Sequence, residues 1–256
     1  MRKYELVTID NKTLYRIVSL KDFSDVKKGD LGGYIESENN LSQEGNCWVY
    51  SNACVYGDAQ VSDNAKISGS ALVFGNAKVY KNAWVSGKAC VSDAQIFGNA
   101  YVFGRAQICT NAKIFGNTKV YERAQVFDSA WVYDNAKVYG NAKVFGHARV
   151  CNNALVCDNA RVCNNALICD NARVCDNAKV YGNIRVCDNA KVYGDVFDDA
   201  WSYGATANLE NLTAKEIVNL VKCYTKVFIS ISVKDKKRIL KKAIELLEMH
   251  GYVPLV

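Results

Sequence analysis

From Asn46 to Gly204 the chain repeats one six-residue phrase, Asn-Ala-x-Val-x-Gly/Asp/Asn. Twenty-seven units fit: 25 have six residues, Ala94–Gly98 has five and Asp195–Asp198 has four. Ala holds the second slot in 23 of the 27, with Cys47, Thr118, Ile184 and Val196 as exceptions. Val or Ile holds the fourth slot in 25. A fixed period this short points to a solenoid, in which each unit buries its apolar side only by stacking on the next.

The slots have distinct physical tasks. Ala and Val lie two residues apart, so in an extended segment they face the same way, and the third and fifth slots face the other way. The sixth and first slots carry Gly, Asp and Asn, which tolerate a left-handed backbone at a corner. Each unit is therefore a short strand and a turn, and three units close a triangular coil of about 18 residues. The 27 units make nine coils; at about 4.8 Å per coil the rod is about 43 Å long.

The ends depart from the phrase. Residues 4–20 hold two β-rich runs around Asp10-Asn11-Lys12, which predicts a hairpin covering the open strands of the first coil. Gly29, Gly32 and Gly33 read as turns leading into that coil. Beyond Gly204, Thr213-Ala-Lys-Glu216 is a capping box, and Ser232-Val-Lys-Asp235 opens a second helix ended by Gly251 and Pro254. The expected domains are a β cap and lead-in over 1–45, the repeat over 46–204 and a helical cap over 205–256. Their net charges are −1, +3 and +4.

The segment FSDVKKGDLGGYIESENNLSQEGNCWVYSNA, residues 23–53, together with the hexads that follow, resembles the YdcK-like family. These are single-stranded left-handed β-helix proteins of bacteria and prophages, with hexapeptide repeats and an acyltransferase activity inferred from their fold. The resemblance covers about residues 20–204. It implies a left-handed coil and, for an enzyme, acetyl-CoA as cofactor and a histidine base beside a protruding loop. The chain has only His147 and His250. His147 replaces the first-slot Asn of a regular hexad and is the sole serious base candidate, and no insertion supplies a loop.

The outward slots make the alternative site. Phe103, Tyr121 and Tyr139 lie 18 residues apart in the fifth slot, as do Phe97, Phe115 and Tyr133. Cations such as Lys119, Lys137 and Arg149 fill third slots between them. Interleaved rings and cations suit an acidic protein or single-stranded nucleic acid. The modest charge excess and the corner aspartates, among them Asp134 and Asp158, favour the protein. Lys237 and Lys241 on the last predicted helix extend the basic surface.

Six cysteines, Cys151, Cys157, Cys163, Cys169, Cys175 and Cys187, also take the fifth, outward slot, with Cys151, Cys169 and Cys187 in one column and Cys157 and Cys175 in another. A straight column does not converge on tetrahedral zinc, so no metal is expected, and without a secretory signal the thiols are expected to be free. No apolar run reaches membrane-spanning length, and no Walker loop or HExxH motif occurs. The reading is a cytoplasmic, non-catalytic binding or scaffold protein, phage-encoded, acting on a protein partner such as a host defence protein. An acyl-CoA-dependent acyltransferase and a nucleic-acid-binding surface are the alternatives, and the oligomeric state is left open.

Overall fold

The computed structural model describes residues 2–9 and 13–196, and the backbone of 201–202. Its repeat is a parallel β-solenoid. Two- and three-residue strands recur at the third and fourth slots and form three long sheets of 11, 9 and 9 strands. We call them face I, which contains Cys54–Val55; face II, which contains Trp48–Val49; and face III, which contains Gln60–Val61. Successive coils pair in register 18 residues apart, as in Lys119↔Lys137 and Val120↔Val138. Across the five-residue unit the offset is 17, as in Trp84↔Tyr101.

The slot chemistry explains this arrangement. Fourth-slot Val and Ile side chains from Val49 to Val186 are buried, as are the second-slot alanines, forming one continuous core. Every sixth-slot residue from Ser51 to Asp188 has positive φ, Lys81, Thr110 and Glu122 included. The corner imposes this conformation even on residues that resist it. First-slot asparagines then tie coil to coil. On the corner before face II their side chains hydrogen-bond in an unbroken series through Asn46, Asn64, Asn82, Asn99, Asn117, Asn135, Asn153 and Asn171, at 2.9–3.3 Å. The second slot has little room. Thr118, a polar occupant, is fully buried and its Oγ1 has no hydrogen-bond partner.

At the N-terminus β1 (Tyr4–Val7) pairs antiparallel with β2 (Tyr15–Ser19), and β2 with β3 (Leu31–Ile35). The predicted turn at Asp10-Asn11-Lys12 lies outside the described residues. β3 then pairs parallel with the Cys54–Val55 strand, and Leu41 bridges Val61. The parallel ladder therefore takes in residues ahead of the first hexad. Of the three glycines read as turns, Gly29 is in a turn with φ +91. Gly32 and Gly33 instead sit within β3. A Cβ on Gly32 would come 2.4 Å from Ile17 Cγ1, and one on Gly33 2.6 Å from the Ala53 carbonyl. Their role is close packing of cap on coil.

A buried lysine closes this end. Lys3 is fully buried, and its Nζ donates to the carbonyls of Glu44 (3.1 Å) and Cys47 (3.0 Å) and to Cys47 Sγ (3.2 Å). Burial lowers the Lys3 pKa and raises that of Cys47. The departure from Ala at Cys47 thus supplies a polarizable partner for the amine. The helices predicted over 205–256 lie outside the described residues. Among the described residues no helix is long and apolar enough to cross a membrane.

Candidate functional site

Face II carries a strip of stacked rings. Phe103 and Tyr121 stack at 4.9 Å and 2°, and Tyr121 and Tyr139 at 4.9 Å and 9°. The in-register pairing of Val102, Val120 and Val138 brings each fifth-slot ring directly over the next. Sequence reasoning missed how the strip continues. Tyr101, in the third slot, stacks on Phe103 at 4.3 Å, and Trp84 stacks on Tyr101 at 4.9 Å. Trp84 is 43% exposed. Lys119 and Lys137 are exposed on the same face, and among the described residues neither is in a salt bridge.

A second feature occupies the corner before face III. The five-residue unit Ala94–Gly98 lacks its first-slot residue, so this corner is one residue short for one coil. Asn76 reaches Asp93 Oδ1 instead of an asparagine, with both its N–H (2.9 Å) and its side chain (3.0 Å). These bonds hold the Asp93 carboxyl below the usual carboxylate range, the backbone N–H most strongly. In the next coil Thr110 and Asn111 both adopt positive φ, and the Asn111 N–H turns to the Asp93 carbonyl at 2.7 Å. Further along the column, Ser129 and His147 replace asparagine. Amide-to-amide bonding resumes only at Asn165 and Asn183, at 2.8 Å.

The result is a concavity of about 750 Å³ lined by Asn76, Lys78, Asp93, Ala94, Gln95, Asn111, Lys113, Ser129, Trp131, His147 and Arg149. Lys113 Nζ lies 5.0 Å from the Trp131 ring centroid and Arg149 Cζ 5.3 Å, so cations from the two flanking coils approach one indole. The surroundings suit an anion with a flat group. His147 is exposed at the turn, as its slot predicts, and among the described residues no side chain hydrogen-bonds its imidazole. No inserted loop stands beside His147, in keeping with the uninterrupted hexads; the hollow comes instead from the one-residue deletion. The signal was the five-residue unit itself.

The predicted recognition residues therefore separate. Phe103, Tyr121, Tyr139, Lys119 and Lys137 come together on face II, whereas Arg149 lies on face III beside His147. Lys237 and Lys241 lie outside the described residues.

The cysteine columns stack as expected, but their slot is not an exposed one for them. Cys151, Cys157, Cys163, Cys169, Cys175 and Cys187 are 2–9% exposed. A thiol ends one atom beyond Cβ, so neighbouring side chains cover it. Tyr133 and Leu167 pack on the Cys151–Cys169–Cys187 cluster. Burial pushes the Cys163 thiol up to about 11 and Cys169 to about 12. All ten described cysteines are free. Nor are the columns made of sulfur alone. The Asp after each of Cys157, Cys169 and Cys187 turns its carboxylate to the thiol, at 3.2, 3.5 and 3.5 Å.

No protein-family model matches this chain. Over 62 residues it is 42% identical to the Uncharacterized acetyltransferase YdcK of Escherichia coli (strain K12). The match takes in 20% of this chain and 19% of that protein, so it spans under a fifth of the relative's length. With the three-sided parallel solenoid, this agrees with the resemblance to hexapeptide-repeat β-helix proteins read from the hexads.

Proposed function

We propose that this chain is a non-catalytic β-solenoid that binds an acidic protein surface along face II. The contiguous strip Trp84–Tyr101–Phe103–Tyr121–Tyr139, flanked by exposed Lys119 and Lys137, supports this reading. Aromatic rings on a rigid backbone offer contact area at little entropic cost, and Trp and Tyr dominate binding hot spots. The in-register ladders leave the strip little freedom to lose. In the full proposal the coil is left-handed, the β1–β2 hairpin and the 205–256 helices close its ends, and the protein works in the cytoplasm. A phage-encoded inhibitor that occludes a host defence protein is one form this activity takes. The test is capture from host lysate by the full chain, by a Lys119→Glu/Tyr121→Ala variant, and by Lys143→Glu on face I. A partner lost with the first variant and kept with the second supports the proposal. An identical captured set for all three contradicts it.

A second reading is acyl transfer at the face III hollow, favoured by one observation: His147 shares that hollow with Lys113, Trp131 and Arg149. The cations and indole would take the phosphates and ring of acetyl-CoA, and the imidazole would act as base. The relative's name points the same way. Calorimetric binding of acetyl-CoA at micromolar level, with acyl transfer abolished in His147→Ala, would replace the binding reading. Nucleic acid is the third possibility; retained binding to single strands at low salt, falling steeply as salt rises, would favour it.

A further inference from the structure

We propose that Cys157, Asp158 and Cys175 form a site for a soft divalent metal ion of the zinc class, set across two adjacent coils of face II. The three ligand atoms all lie within 4.8 Å of one another. Cys157 Sγ is 3.2 Å from Asp158 Oδ2, and Cys175 Sγ stands within 4.8 Å of both, in the next coil of the same column. Asp158 Oδ2 also accepts the Asp176 N–H at 3.2 Å. That bond holds the carboxylate over the thiol column without an ion's help. The thiols are 4% and 9% exposed while Asp158 is exposed, so an ion enters from the carboxylate side.

The spacing suits the chemistry. With Zn–S near 2.3 Å, two thiolates on a tetrahedral zinc stand about 3.8 Å apart, a small side-chain adjustment from the observed cluster. Two sulfurs and one oxygen favour zinc over magnesium or calcium, which take oxygen ligands. Binding converts two thiols to thiolates and releases two protons to solvent, leaving a net charge of −1 on the filled site. The fourth position goes to water. Because binding releases the thiol protons, affinity rises with pH.

The test titrates the reduced, chelator-treated full chain with Cd²⁺ and follows the ultraviolet thiolate-to-cadmium band. The expected result is one equivalent bound with that band, lost in Cys175→Ala and unchanged in Cys163→Ala on face I. Asp158→Asn should weaken binding about tenfold or more. Circular dichroism checks that Cys175→Ala is folded; if it is not, the exposed Asp158→Asn variant decides. No band in the wild-type chain, an unaltered band in folded Cys175→Ala, or undiminished affinity in Asp158→Asn would each overturn the proposal.

Discussion

The coils from Tyr56 to Phe145 and those from Cys151 to Cys187 share a backbone and differ in one slot. Both have the same in-register strands, the same left-handed corners and the same Ala/Val interior. In the first region the fifth slot holds mostly half-buried rings stacked at 4.8–5.1 Å, among them Phe97–Phe115 and Tyr56–Phe74, with Ser62, Ser68, Ser86, Ser92 and Cys109 between them. In the second it holds buried thiols, with Tyr181 the exception. The backbone therefore accepts either occupant of the fifth slot: rings in one region, and in the other sulfur beside a sixth-slot carboxylate.

If the interiors are equivalent, equal cuts should hurt equally. Ile114→Ala in the aromatic region and Ile168→Ala in the thiol region each remove a fully buried side chain. Each should cost about 2–5 kcal/mol by urea denaturation, the two agreeing within about 1 kcal/mol. A much smaller loss at Ile168 would break the comparison. The fifth slot should then separate the regions. Tyr121→Ala removes two stacked pairs and should cost about 1–3 kcal/mol, whereas Cys169→Ala should cost less than about 1.

A further effect is alkaline. An unfolded thiol ionises near pH 8.5, while burial holds Cys163 and Cys169 protonated to about 11 and 12. Above about pH 9 the unfolded chain has lost protons that the folded one keeps, so stability falls as pH rises toward the folded values. A Cys163→Ala/Cys169→Ala variant should flatten the decline in urea midpoint between about pH 9 and 10. Tyr133 and Tyr139, also pushed up to about 12 by burial, act only above about pH 10. An undiminished slope in the double variant would mean that these thiols are not buried as described.

Much of this was legible in the repeat. Strand, corner and interior follow from which residues stand two apart and which tolerate positive φ, so the ladders of Phe103, Tyr121 and Tyr139 could be drawn by counting. What escaped depends on side-chain length and on single departures. Cys169 and Tyr121 occupy the same slot, yet one is covered and the other half-exposed, because burial there depends on how far the group reaches past its neighbours. Gly32 and Gly33 look like turn residues until Ile17 and Val49 are placed against them. The hollow beside His147 arises from one absent residue before Ala94, whose effect shows only when coils 17 and 18 residues long are stacked. The Lys3–Cys47 contact spans 44 positions with no periodic signal.

The central claim is that face II is the recognition surface. A photoreactive phenylalanine analogue replacing Tyr121, and separately replacing the exposed Gln107 on face I, tests it most directly in the native cell. The account predicts a discrete crosslinked protein from position 121, lost on Lys119→Glu, and none from position 107. Equal crosslinking from both positions, or none from 121 alongside strong adducts from 107, would contradict it.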